Sequence, residues 1–227
     1  MEAARNNATR TPPCPTRYDA HELEGLAAPV QRYFRAVLKD GQAIVSAVTI
    51  NMAASLDMSA TAKQWRPFTP KQRVVTSVAG LRPGFIWDAR ISMLPGIKVH
   101  VVGSYVAGKG RGQAAMLGLF TLTEVGGGGE MARVEFMRFF AETPWYPTAL
   151  RFHFNDAGLI DSVRAEARGG LVGNEIVMRP WECGLSNHEV RAGMTVPMSG
   201  EAAWVRPDER KRYFIGSVKS MACEFAP

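Results

Sequence analysis

The sequence predicts an α+β fold made mainly of antiparallel β-strands, with an N-terminal and a central helix. Apolar and polar residues alternate through much of residues 43–125 and again after residue 150, which is the period of a strand. Short connections rich in Gly, Pro, Asn and Asp separate these segments, as in an antiparallel meander. So long a sheet has to curl or close to cover its apolar face, so we expect a strongly curved sheet or half-barrel.

The length and composition predict one folded domain. The chain has 227 residues, of which 46% are hydrophobic, and this is enough for one sizeable core. No internal repeat or linker divides it, so we expect residues 1–18 to form a disordered tail and residues 19–227 to form a single α+β domain. The sequence has neither a signal-peptide core nor a run of about 18 apolar residues, so we expect a cytoplasmic protein without a membrane span.

Helical spacing of apolar residues predicts the first helix over residues 19–39, with Pro29 in the first turn of its ordered part and Gly41 at its end. The strands predicted next cover residues 44–58, 73–78, 85–91, 97–106 and 114–123, the last being either a strand or a short helix. Pro95-Gly96 and Gly108–Gly112 are predicted turns.

Four glycines, Gly126–Gly129, end the first series of strands. A second helix is predicted over residues 130–142, and the prolines at 144 and 147 form a rigid corner after it. The remaining strands are predicted over residues 150–154, 159–167, 171–178, 202–206 and 212–218. Residues 155–158 and 168–170 are predicted turns, and residues 186–188 are predicted to form a polar loop.

Several classes of function are excluded by composition and spacing. The net charge is +6, but basic residues are spread along the chain, so we expect no nucleic-acid surface. The cysteines Cys14, Cys183 and Cys223 form no Cys-x-x-Cys pair, and the four histidines form no ligand motif, so we expect no metal and no cofactor. A disulfide between Cys183 and Cys223 and two free thiols both stay open.

One segment, Gly103–Gly110, comes close to a phosphate-binding P-loop. Its last position is Gly110 instead of the Ser or Thr whose hydroxyl would hold magnesium. The segment also follows a meander strand, so a hairpin turn is the better interpretation. No Gly-x-Ser-x-Gly motif is present, and we assign no catalytic nucleophile.

The best candidate site residues are polar side chains embedded in aromatic sequence. Strand alternation puts Asp88 and Arg90 on one face and Trp87 on the other. A network of such groups is either a structural lock or a ligand pocket, and the sequence leaves both open. The candidate ligand-binding residues are Trp87, Asp88, Arg90, Tyr105, Arg138, Glu142 and Trp145.

Three functions fit this pattern. The first is a non-enzymatic domain that holds an apolar or amphipathic small molecule, such as a lipid, in a curved sheet analogous to lipoprotein-carrier half-barrels. The second is an enzyme with Glu142 or Asp88 as general base and Arg138 or Arg90 as anion-binding group. The third is a structural or interaction domain without a ligand.

The same segments resemble an uncharacterised bacterial domain-of-unknown-function family. The resemblance rests on Trp65-Arg-Pro67-Phe68, on Gly84-Phe-Ile-Trp87-Asp88-Ala-Arg90, and on Arg138-x-x-x-Glu142-x-x-Trp145-Tyr-Pro147-Thr-Ala-Leu150. It implies no established activity and no catalytic residue. Family members continue after the last motif with a proline turn and a strand pair, whereas here Leu150 runs directly into the next strand. A missing strand pair would open the sheet or shrink its pocket.

Overall fold

A computed structural model describes residues 15–57, 64–76, 83–94, 96–106, 109–116, 120–126, 149–172 and 175–227. Within them, eleven antiparallel strands form one sheet, which confirms the predicted mainly antiparallel α+β class. The strands are β1 (Val45–Asp57), β2 (Trp65–Val75), β3 (Gly84–Leu94), β4 (Ile97–Val106), β5 (Lys109–Met116), β6 (Phe120–Gly126), β7 (Leu150–Phe154), β8 (Ile160–Val172), β9 (Glu175–Arg191), β10 (Met194–Val205) and β11 (Arg210–Phe225).

The strand order is β6-β5-β4-β3-β2-β1-β11-β10-β9-β8-β7. The first six strands form one meander and the last five form another, and the two join where β1 pairs with β11 at the centre of the sheet. Strands β6 and β7 are the two edges, and in the described residues they do not pair with each other. The sheet is therefore open, and its core depends on pairs that are distant in sequence.

The N-terminal segment forms two short helices instead of the single predicted one. A 3₁₀ helix spans Ala20–Leu23 with a capping box from Asp19, and helix α1 spans Ala28–Val37 with proline in its first turn. Gly25 separates them with a φ of 82°. The predicted start at Pro29 is confirmed. Ahead of them, backbone hydrogen bonds join residues 16–18 to residues 41–44.

Helix α1 lies against β10 and the hairpin between β7 and β8. The ring of Tyr33 packs on Phe154 with 5.8 Å between centroids, and the side chain of Arg32 lies against Gly158. Burial raises the pKa of Tyr33 above its ordinary value. The helix thus packs over the end of the sheet that contains β7, β8 and β10.

Strands 97–106 and 150–154 are confirmed at the residues predicted, as is the turn between Asn155 and Gly158. The strand predicted over 73–78 was wrong in extent, because β2 already begins at Trp65. The first half of β2 was not predicted because it contains Pro67 and Pro70. Proline has no backbone N–H to donate to a neighbouring strand, so it is unusual in a central strand. Burial of Phe68, which is only 4% exposed, outweighs that loss.

Glycine-rich segments account for the other errors. The single strand or helix predicted over 114–123 is two strands, β5 and β6, and most of the predicted turn at Gly108–Gly112 belongs to β5. Glycines have no side chains that could show the alternation of a strand, so a strand that contains several of them is predicted as a turn. In the sheet, Gly103 and Gly112 lie opposite each other, which confirms the predicted hairpin.

The last strands are longer than predicted. The predicted turn at 168–170 lies inside β8, and the predicted loop at 186–188 lies inside β9. The strand predicted over 171–178 is the end of β8 and the start of β9. A register shift between Ala165 and Arg168, and the positive φ of 54° at Asn187, are local irregularities that these strands accommodate. The predicted second helix, 130–142, and the corner at 144–147 lie outside the described residues.

The two faces of the sheet differ sharply in chemistry. Directly paired residues of antiparallel strands share a face, so the register separates an apolar face from a polar face. The buried side chains of the apolar face form two clusters: Ala54, Phe68, Ala89 and Ile91, and Val163, Ala165, Trp181 and Ala202. The ring of Phe214 contacts both clusters and lies 6.2 Å from Phe68. The polar face carries most of the ion pairs within the sheet.

Candidate functional site

An aromatic strip runs along the apolar face from β3 to β9. We use this name for Phe68, Trp87, Trp181, Trp204, Tyr213 and Phe214. Phe68 meets Trp87 edge to face at 6.1 Å, and Trp204 stacks on Tyr213 at 5.7 Å. Trp181 Nε1 donates a hydrogen bond of 2.9 Å to Tyr213 Oη. Aromatic pairs at these separations stabilise one another beyond the area they bury, so the strip is a continuous, ordered surface.

Two backbone features allow the strip to form. A register shift between Ala202 and Ala203 leaves Tyr213 as an extra residue in β11, and both Tyr213 and Phe214 then pack against the second apolar cluster. Gly216 lies under the ring of Phe214, where a Cβ would approach Cζ to 2.9 Å. The ring can lie along the sheet only because position 216 has no side chain.

Basic side chains lie at one end of the strip. The guanidinium carbon of Arg168 lies 4.0 Å from the centroid of the Trp181 ring, and Arg168 is only 9% exposed. Arg179 pairs directly with Arg168, and Lys211 pairs with Trp204, so the register puts all three cations on the apolar face. The pairing of these strands therefore concentrates positive charge at one end of the strip.

Sequence reasoning missed this basic end. Arg168-Gly-Gly170 has the composition of a turn, and nothing local shows that its arginine continues a strand. The usable signal was Trp181, because an indole ring is the aromatic group that best attracts a cation to its face. Finding that cation requires the pairing of β8 with β9, which the sequence did not provide.

The predicted site residues divide between the two faces. Trp87 belongs to the aromatic strip, and Tyr105 stacks on Phe85 at 6.4 Å on the same face. Asp88 and Arg90 lie on the polar face, as the alternation predicted. Arg138, Glu142 and Trp145 lie outside the described residues. Whether any of the seven binds a ligand stays a prediction.

Asp88 has an imidazole neighbour on the polar face. His100 Nε2 lies 3.1 Å from Asp88 Oδ2, in a geometry that does not make a hydrogen bond. Both side chains are accessible to solvent, so this is an exposed ion pair whenever the histidine is protonated. The other strand histidine, His153, lies on the edge strand β7, far across the sheet from β4.

The two described cysteines are free thiols. Cys183 packs against the second apolar cluster, and its burial raises the pKa of the thiol to about 11. A thiol with so high a pKa stays protonated at neutral pH and is a poor nucleophile. Among the described residues, no three His, Cys, Asp or Glu side chains gather in a way that could bind a metal ion. None of the described helices has the length and apolar character needed to cross a membrane.

Comparison with solved structures finds similarity to a LolA superfamily protein from Nitrosomonas europaea, at 7% identity and a TM-score of 0.32, covering 88% of this chain and 94% of that one. A β-barrel-like protein of the domain of unknown function DUF1849 from Brucella abortus matches at 9% identity and a TM-score of 0.25, covering 80% of this chain and 99% of that one. No curated protein matches the sequence.

A protein-family model matches most of the chain. The match has two pieces, residues 24–151 and residues 149–222. The two pieces overlap at residues 149–151, around Leu150, after which the resemblance implies a missing strand pair. The chain belongs to DUF6920, a family of unknown function.

Proposed function

We propose that this protein is a non-enzymatic binding domain that holds an amphipathic small molecule with an apolar chain, such as a lipid, against the apolar face. The observation that carries the proposal is the aromatic strip with a buried arginine at one end. An apolar chain would lie along Phe68 and Phe214. An anionic group would lie near Arg168.

The partial exposure of the strip supports this proposal. Trp87, Trp204, Tyr213 and Phe214 are all only partly buried by the described residues, and no large described side chain is less than 2% exposed. Covering such a surface with hydrocarbon is favourable by roughly 0.8 kcal/mol for each CH₂ group removed from water. A chain of a dozen carbons would therefore gain enough to offset the cost of its immobilisation.

The charges at the end of the strip favour an amphipathic ligand over a purely apolar one. Arg168, Arg179 and Lys211 would face a head group at one end of the strip, whereas the other end of the strip carries Trp87 and Phe68. A carboxylate or phosphate beside Arg168 would bind in a partly desolvated place, where charge-assisted hydrogen bonds are strong.

Tryptophan fluorescence tests the proposal, because the tryptophans differ in face. Trp87, Trp181 and Trp204 lie on the apolar face, and Trp65 lies on the polar face opposite Asp57. Two variants with an intact aromatic strip are compared: one with Trp65 and Trp145 changed to Phe, and one with only Trp145 changed to Phe, so that the difference between them gives the emission of Trp65. A brominated stearate, whose bromines quench indoles on contact, is titrated into each.

We expect saturable quenching in the variant without Trp65 and little quenching of the Trp65 emission obtained by difference. Circular dichroism establishes that both variants are folded. No saturable quenching in either folded variant, or equal quenching of Trp65, would show that the apolar face does not bind such a chain.

The enzyme hypothesis keeps one supporting observation, the contact of His100 with Asp88. A general base has to hold a proton acceptor within hydrogen-bond reach of the substrate. Asp88→Asn and His100→Gln remove the two groups separately. Loss of a measured hydrolytic or isomerase activity in both variants would favour an enzyme, and no activity in the wild-type protein would remove the support that this contact gives to that hypothesis.

A further inference from the structure

A groove of about 530 Å³ crosses the polar face, on the side of the sheet opposite the aromatic strip. It exists because its floor consists of small side chains, while longer ones stand at its sides. Most of the residues that line it belong to the polar face: Ala53, Ser55, Pro67, Thr69, Arg90, Ser92, Lys98, Ile215 and Ser217. The pairing of Arg90 with Thr69 and of Ser92 with Lys98 puts these residues on one surface. Three residues that the register assigns to the apolar face, Ala54, Phe68 and Gly216, also line it.

The charge of the groove is positive. Arg90 and Lys98 line it, and no aspartate or glutamate does. Neither cation makes an ion pair with a described residue, whereas Arg73, Arg210 and Arg212 on the same face each bind a carboxylate. The nearest carboxylate along β3, Asp88, faces His100. Within the described part of the chain, the groove therefore offers two cations without an ion-pair partner.

The rest of the lining defines the ligand further. The hydroxyls of Ser55, Thr69, Ser92 and Ser217 are hydrogen-bond donors and acceptors suited to a polyol or to phosphate oxygens. Ile215 and Pro67 offer a small apolar wall for a carbon skeleton. The volume falls within the range of about 300–1,000 Å³ typical of small-molecule sites, which exceeds what a bare phosphate fills.

We propose that this groove binds a phosphorylated polyol through Arg90 and Lys98, with the serine and threonine hydroxyls contacting the polyol. The same chemistry exists in a free sugar or glycerol phosphate and in the head group of a phospholipid. This site is separate from the aromatic strip. A negative result for the groove would therefore leave the proposed binding of an apolar chain at the strip untouched, and a negative result at the strip would leave the groove proposal untouched.

Isothermal titration with glycerol 3-phosphate tests the proposal on the full chain. The double variant Arg90→Gln, Lys98→Gln should weaken binding at least about tenfold, because each phosphate contact is charge-assisted. The matched control Lys71→Gln, Lys219→Gln removes the same charge from the sheet outside the groove and should change affinity less than about twofold. Ser55→Leu fills the floor without changing charge and should also abolish binding.

A second experiment with lipid vesicles distinguishes a free phosphorylated polyol from a phospholipid head group. Flotation with phosphatidylglycerol vesicles, compared with phosphatidylcholine vesicles, reports head-group binding, and the same variants are used. Binding of glycerol 3-phosphate that the groove variants lose supports a free ligand, and variant-sensitive flotation without it supports a lipid head group. No binding in either arm, or equal loss in the Lys71 and Lys219 control, overturns the proposal.

Discussion

The apolar and polar faces of the sheet are built from the same strands and do different things. On the apolar face, aromatic and aliphatic side chains form two clusters joined by Phe214. On the polar face, arginines and glutamates pair across strands, as Arg210 does with Glu201 and Glu182. Neighbouring residues such as Trp87 and Asp88 therefore belong to different surfaces. Adjacency in sequence is therefore a poor guide to a shared site in a sheet.

The largest expected effect comes from placing a charge on the wrong face. Ala89 is fully buried on the apolar face, so Ala89→Asp would bury an unpaired carboxylate and cost about 4 kcal/mol or more of unfolding free energy. Thr69→Asp is the matched change on the polar face, directly opposite Arg90, and should alter stability by less than about 1 kcal/mol. Urea denaturation measures both, and equal losses would refute the division into two faces.

A smaller effect separates two adjacent valines. Val101 packs against the first apolar cluster, and Val102 pairs with Asp88 on the polar face. Val101→Gln should cost about 1–3 kcal/mol, since it puts an amide among apolar side chains, and should weaken binding of the brominated stearate. Val102→Gln should change stability by less than about 0.5 kcal/mol and leave stearate binding intact. A larger effect at Val102 would reverse the assignment of the faces.

The smallest effect concerns the ion pairs of the polar face. Although burial raises the pKa of Glu201, hydrogen bonds from Arg212 and Arg210 outweigh it and hold the pKa below its ordinary value. Stability from this group is therefore present above the ordinary carboxyl pKa and disappears as pH falls through the lowered one. Glu201→Gln should cost at most about 1 kcal/mol at neutral pH and nothing in strong acid. A constant difference between the two proteins at every pH would exclude this ionic origin.

The sequence predicted the faces well where side chains alternate. The strand at 97–106 and the opposite orientations of Trp87 and Asp88 follow from a period of two and needed no tertiary information. Prolines and glycines concealed the strands at 65–70 and 168–170, because these residues mark turns unless packing overrides them. Alternation along the sequence therefore predicted which faces of the sheet the side chains of Trp87 and Asp88 occupy.

The sequence could not predict which side chains meet across paired strands. Phe68 meets Phe214, and Arg73 binds Glu224, only because β1 pairs with β11 and joins the two ends of the chain. Register over such separations is set by the whole sheet, and a shift of one residue would exchange the faces. The groove beside Arg90 depends on the register of β1 with β11, and the basic end near Arg168 depends on the register of β8 with β9.

The most direct test of the central claim is proton NMR of the indole groups with a stearic acid that carries a nitroxide near its methyl end. The nitroxide broadens signals of nearby protons. If the apolar face binds the chain, the indole signals of Trp87 and Trp204 should broaden at low molar ratios, while that of Trp65 stays sharp. Equal broadening of all three, or loss of the Trp65 signal first, would contradict the account.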